Sequence, residues 1–357
     1  MPRLGVWGAI VVGFIAAACA STIGPVTPPV EVLVVLDSAD DTLRIIPVDS
    51  TEVVHHLILT PRTSKVTALA LRGQIAAISD SDDVMLIDLG SHHAACADGR
   101  PVPLNANGVI GALAFGDDGQ GYASTPSTDS VSRFLPPPVC GAGTGSVPGT
   151  PQGFGLARGK VFVVVANRHG CPLGPIGCPD APSWLTTEPG LRDSVPLLGP
   201  GDARSGVFAS DGSLYIVSAG DGSSDGILSQ IDPLQPGNIN SYGGFGHLPQ
   251  YVATDGADHV YVASPIDGLM VFNVRTHQVD RGVSAAVPLN GAAHGLATDD
   301  FGRIYALTAG SCTATGARGT VQILGQDLVA RHPVTVGRCP IAIGVTEIPA
   351  ALYHFDN

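Results

Sequence analysis

One phrase recurs along this chain roughly every 45 residues, the spacing of repeat architectures built from stacked supersecondary units. It consists of an apolar strand, a Gly/Asp turn, and a second strand with an aromatic near its start. It reads VIGALAFGDDGQGYAS from Val109, PQGFGLARGKVFVVVA from Pro151 and RSGVFASDGSLYIVSA from Arg204. It returns as PQYVATDGADHVYVAS from Pro249 and AHGLATDDFGRIYALT from Ala293, with a less aromatic copy, KVTALALRGQIAAISD, from Lys65. Aligned on the second residue, the copies start at Val66, Ile110, Gln152, Ser205, Gln250 and His294, in steps of 44, 42, 53, 45 and 44 residues. That period is the length of one four-stranded propeller blade. Each phrase supplies strands A and B, joined where Gly and Asp tolerate positive φ. Strand C follows, as in DVMLIDL from Asp83, GLMVFNV from Gly268 and TVQILG from Thr320, and a more polar fourth segment leads to the next phrase. Composition agrees: 46 Gly and 29 Pro with only 14% charged residues favour many short strands and turns.

The chain ends predict the blade count. VLVVLDSADDTLRIIPVD from Val32 reads as strands B and C with no strand A before them, while PIAIGVTEI from Pro340 reads as a strand A with no strand B after it. Pairing the last segment with the first closes a ring of seven blades and leaves no open edge. SHHAACADGRPVPLNANG and FLPPPVCGAGTGSVPG are poor strands, which keeps six and eight blades open as alternatives. The expected fold is thus an all-β, seven-bladed β-propeller closed by a C-terminal strand.

The pattern of P-x-G-apolar, Asp-Gly turn and aromatic-Val-Ala resembles the YVTN and NHL-type bacterial propellers over roughly residues 32 to 348. Such blades carry binders, scaffolds and enzymes alike, so the resemblance speaks to fold more than function. At the other end, Leu4 to Ala18 is an apolar run too short to span a bilayer, ending in Ala16-Ala17-Ala18-Cys19. That ending resembles the lipobox of bacterial lipoproteins, which implies lipidation of Cys19. The expected organisation is a signal peptide over 1–18, a lipidated, Pro/Ser/Thr-rich tether over 19–30 and a propeller over 31–357. The implied location is the cell envelope, and Ala20 favours the outer membrane if the host has two.

Six further cysteines fit an exported chain. Strand direction alternates within a blade, so A-B and C-D loops share one face and B-C and D-A loops share the other. On that basis Cys96 pairs with Cys140, Cys171 with Cys178, and Cys312 with Cys339. The formal net charge is −13, carried almost wholly by Asp, and no Lys/Arg cluster offers a phosphate footprint, so nucleic acid is excluded as a partner.

The chain lacks G-x-S-x-G, HExxH and P-loop motifs. The runs DSADD from Asp37 and SDSDD from Ser79 only partly resemble a calcium loop; no cofactor is expected, with a divalent cation such as calcium as the alternative. The residues opening strand A line the channel and include no carboxylate. Gln152, Arg204, Ser205, Gln250 and His294 make one side of the mouth polar, and the long B-C loop carrying Asn167 and His169 rims it. These are the candidate ligand-binding residues. The expected function is a monomeric, membrane-anchored, non-enzymatic propeller that binds a protein, peptide or glycan. The alternative is a metal-dependent lactonase-like or lyase-like enzyme. A quinone-dependent dehydrogenase lacks its ring of basic and aromatic groups.

Overall fold

A computed structural model describes residues 28–48, 55–58, 66–147, 149–166, 183–188, 194–220, 222–313 and 315–350. It forms seven four-stranded antiparallel sheets arranged as the blades of a propeller. Strands A to D of blade 5 are Ala203–Phe208, Leu214–Ser218, Ile227–Asp232 and Gln235–Tyr242. The innermost strands of blades 2 to 4 are Leu69–Arg72, Ala112–Phe115 and Thr150–Ala157, and those of blades 6 and 7 are Tyr251–Thr254 and Ala293–Thr298. Blade 1 takes its strand A, Pro340–Ile348, from the far end of the chain and its strands B and C, Val30–Asp37 and Thr42–Pro47, from the near end. The weak stretches around Cys96 and Cys140 still supply short outer strands, which removes the six- and eight-blade alternatives.

Burial explains why strand B reads as an unbroken apolar run. In blade 1, Val32, Val34 and Leu36 pack toward Ile78 and Met85 of blade 2, while Leu33 and Val35 pack toward Tyr305 and Leu307 of blade 7. Successive side chains point to opposite faces and both faces are covered, so neither can be polar. The recurrent Asp and aromatic have a joint purpose. At the A-B turn of blade 5, Asp211 accepts the Ser213 N-H at 3.0 Å and the Tyr215 hydroxyl at 2.8 Å. In blade 7, Asp299 likewise accepts the Phe301 N-H at 3.0 Å and the Tyr305 hydroxyl at 2.8 Å. Burial, together with the adjacent carboxylates, holds both phenols far above their ordinary pKa. One carboxylate therefore shapes the turn and caps the aromatic that fills the space between blades.

Ring closure rests on three layers. Strand A of blade 1 pairs with strand B from Val30↔Ile348 to Asp37↔Pro340. A disulfide joins Cys312, in the B-C loop of blade 7, to Cys339, just before the closing strand. A charge clasp then holds the B-C loop of blade 1 against that segment. The Arg338 backbone N-H and Nε donate to Asp40 at 3.0 and 2.9 Å, and Ser38 N-H donates to the Cys339 carbonyl at 3.0 Å. Asp37, fully buried, accepts from Nε of the equally buried Arg44 and from Thr42. Two carboxylates of the supposed calcium loop are thus engaged in ion pairs with Arg44 and Arg338. Cys96 and Cys140 also pair as expected, linking blades 2 and 3. The third expected disulfide, Cys171 with Cys178, lies outside the described residues, as does Cys19.

Desolvation pushes the Asp37 carboxyl up to about 6, outweighing the pull of Arg44. Asp40, although partly desolvated, is held below the ordinary carboxylate range by its bonds to Arg338. Removing Arg44 would leave Asp37 buried and uncompensated, a defect worth about 3 to 5 kcal/mol. Without Arg44 the Asp37 carboxyl rises above about 6 and the folded state gains by binding a proton there, so the loss is greatest at alkaline pH, shrinks as pH falls toward 6 and levels off below it. Arg44→Met is expected to show this pH-dependent deficit in thermal unfolding; a deficit that grew on acidification would contradict it.

Candidate active site

Four blades open strand A with the same irregularity. The register shifts between Pro151 and Gly153, between Ala203 and Ser205, and between Ala293 and Gly295, leaving Gln152, Arg204 and His294 outside the ladder. In blade 1 the shift passes over Ile341 in the same way. A bulge of this kind adds a residue that pairs with nothing and redirects its side chain. The flanking residues are small for a reason: a Cβ at Gly153 would lie 2.2 Å from the Arg204 carbonyl oxygen, and one at Gly295 would lie 2.7 Å from Ile343. Neighbouring inner strands approach too closely for side chains at these glycines.

Gln152, Arg204, Ser205 and Gln250 come together around a cavity of about 510 Å³ in the central channel, with Thr67 and Tyr251. Arg204 is held by Asp202, whose buried carboxylate accepts Nε at 3.0 Å and Nη2 at 2.6 Å. Its Nη1 reaches the Gln152 side-chain oxygen at 3.4 Å, and Ser205 donates to the Gln250 carbonyl at 2.9 Å. Asp202 itself adopts a left-handed φ of 55°, tolerated by a short polar side chain. Burial pushes the Tyr251 phenol up while the Arg204 charge pulls the other way, so the hydroxyl stays protonated. The arrangement presents N-H and O-H donors from a guanidinium, an amide and a phenol to one space.

His294 occupies the equivalent bulge in blade 7, half-buried, but is not part of the cavity wall. Asn167 and His169 lie outside the described residues. Two strand-A openings differ from expectation: Val66 and Ile110 are buried in the cores between blades, and Thr67 and Gly111 take their places on the channel. The Thr67 hydroxyl is already committed to the Ile110 carbonyl. A further pair escaped the sequence reading. His247, in the D-A connection of blade 5, lies with Nδ1 3.3 Å from Asp267 in the B-C loop of blade 6. Among the described residues no group of three or more His, Cys, Asp or Glu could hold a metal ion. Among the described residues the cavity wall carries no carboxylate either. The donor set does not fit the divalent ion that the enzyme alternative called for.

No family model matches this chain, and no curated protein matches it by sequence. Solved structures do. Virginiamycin B lyase from Staphylococcus aureus shares a TM-score of 0.57 at 12% identity, covering 78% of this chain and 86% of that one. A catalytically inactive histidine-to-alanine variant of that enzyme with quinupristin gives 0.56 at 13% identity, covering 76% and 85%. Apo AztD from Citrobacter koseri gives 0.52 at 10% identity, covering 90% of this chain and 99% of that one. At such identities the likeness establishes the propeller fold. Lyases recur among these structures, which runs against the expectation of a non-enzymatic binding or scaffolding propeller.

The bulge geometry can be tested directly. Gly153→Ala sets a methyl group against the Arg204 carbonyl and must separate blades 4 and 5 at the mouth. Overpacking of this kind costs about 1 to 3 kcal/mol. A fall in Tm of several degrees is expected, whereas Gly159→Ala, at an open turn with nothing within 4 Å of its Cβ, tests the φ of +73° alone. Equal losses in the two variants would mean that the close approach is unimportant.

Proposed function

We propose that this chain is a lyase-like propeller enzyme acting at the mouth of its channel. The observation that carries the reading is the repeated bulge, which brings Gln152 and Arg204 to one cavity and gives His294 the equivalent place in blade 7. An elimination needs a base that removes a proton from carbon, and donors that stabilise the charge this leaves on a neighbouring carbonyl oxygen. His294 supplies the base, since an imidazole can accept a proton near neutral pH. Arg204 and Gln152 supply the donors, and Asp202 fixes Arg204 beforehand so that little reorganisation is needed during reaction. As the proton leaves carbon, its electrons form the new double bond and the leaving group departs with the electrons of the broken bond. The inactive histidine variant among the similar structures supports a histidine base by analogy.

The test is incubation with virginiamycin B and quinupristin, followed by chromatography with mass detection in heavy-oxygen water. Consumption without incorporation of solvent oxygen is expected, and Arg204→Met and His294→Asn should each slow it at least ~100-fold with the thermal transition retained. Inert probes, or a product carrying solvent oxygen, would remove the elimination reading.

We also infer export and anchoring through Cys19, within a propeller of the YVTN/NHL type. The support is Ala16-Ala17-Ala18-Cys19 after an apolar run, together with two disulfides that suit an oxidising compartment. Cys19→Ser should abolish lipid labelling and move the protein out of the membrane fraction; unchanged fractionation would argue against the anchor.

A further inference from the structure

The cavity does not end at the polar mouth. Below Gln152 and Arg204 its wall is made by Leu69, Leu113, Phe154, Leu156 and Phe208 from blades 2 to 5. These side chains pack on one side against the cores between blades and turn the other toward the channel. We propose that this apolar throat is the subsite for the body of the substrate, and that the group held at the mouth is an uncharged carbonyl, an ester or amide, attached to an aromatic or branched aliphatic body. The reaction at the carbonyl rests on the lyase-like reading; the binding does not.

Two observations fix the class. The first is the sequence of polarity along one continuous cavity, with donors at the opening and hydrocarbon beneath. A ligand body in the throat recovers the apolar area that the channel otherwise leaves to water. The second is charge. Among the described residues Arg204 is the one charged residue in the cavity wall, and its guanidinium is already neutralised by buried Asp202. An anionic head would be desolvated with no net positive charge to receive it, in a chain of net charge −13. A carbonyl oxygen needs only donors. It finds Arg204 Nη1, the Gln152 amide N-H left free when its oxygen accepts from Arg204, and the Tyr251 hydroxyl. The throat thus selects for size and hydrophobicity, the mouth for a neutral acceptor.

The experiment is calorimetric titration of the intact protein with N-acetylphenylalanine methyl ester, its free acid, and N-acetylglycine methyl ester. The aromatic ester should bind about tenfold or more tightly than either of the others, the margin expected for burying one aromatic ring or sparing one charge. Leu156→Gln should reduce the aromatic ester to the level of the glycine ester while leaving the latter unchanged. Leu69→Gln, in blade 2, repeats the measurement should the first variant lose its cooperative unfolding. Equal binding of the acid, equal binding of the glycine ester, binding unaffected by both throat variants, or no binding of any probe would each overturn the inference. Ordered binding as described in a protein that eliminates nothing would leave the subsite standing and remove only the reaction.

Discussion

Everything in this molecule depends on a ring that must close. A blade is not stable alone, because both faces of its inner strands are apolar and each needs a neighbour. The packing of Val32, Val34 and Leu36 to one side and Leu33 and Val35 to the other shows the demand at its clearest, since this strand lies beside the chain's own junction. Without the C-terminal strand, the inner edge of Val30–Asp37 would lose its backbone partners and stand open as a template for aggregation. The cysteine pair and the Asp37, Arg44, Asp40 and Arg338 clasp are concentrated at this single seam. The remaining blade junctions are joined by the chain itself, with one further disulfide, Cys96 to Cys140, between blades 2 and 3.

The same closure explains the shape of the site. Seven inner strands converge on an axis where there is little room, so residues next to the channel must be small: Gly153 against the Arg204 carbonyl, Gly295 against Ile343. In blades 1, 4, 5 and 7 a bulge resolves the conflict by extruding one residue from the ladder. Gln152, Arg204 and His294 stand where they do because of backbone register, and their chemistry is independent of the hydrogen bonds that hold the blades.

Much of this was legible in the sequence. The repeat fixed the strand order, the unmatched ends implied closure, and the alternation of loop faces was sufficient to pair Cys96 with Cys140 and Cys312 with Cys339. The polar residues of the mouth were visible because small-x-Gly motifs such as PQG and AHG break an otherwise apolar phrase. What could not be read was register within blades 2 and 3. There an apolar residue opens the phrase, as Val66 and Ile110 do, and hydrophobicity cannot say whether it faces the channel or the core. The run from Asp37 was ambiguous for a related reason: an acidic loop looks the same whether its carboxylates await a cation or already meet arginines such as Arg338, some 300 positions away. The pairing of His247 with Asp267 likewise depends on loops from two different blades.

The separation of fold from chemistry bears on how such a chain can diverge. Residues that make the blade are constrained twice, by strand alternation and by a neighbouring blade, whereas a bulge residue is constrained by neither. Substituting it leaves the ladder intact, so the mouth can change while the ring persists. This accounts for a shared propeller architecture at 10% to 13% identity, where little beyond turns and apolar alternation needs to be held in common. It also predicts where function should be sought in such a ring: at a bulge residue that opens an inner strand, and in the partner, here buried Asp202 for Arg204, that holds it in place.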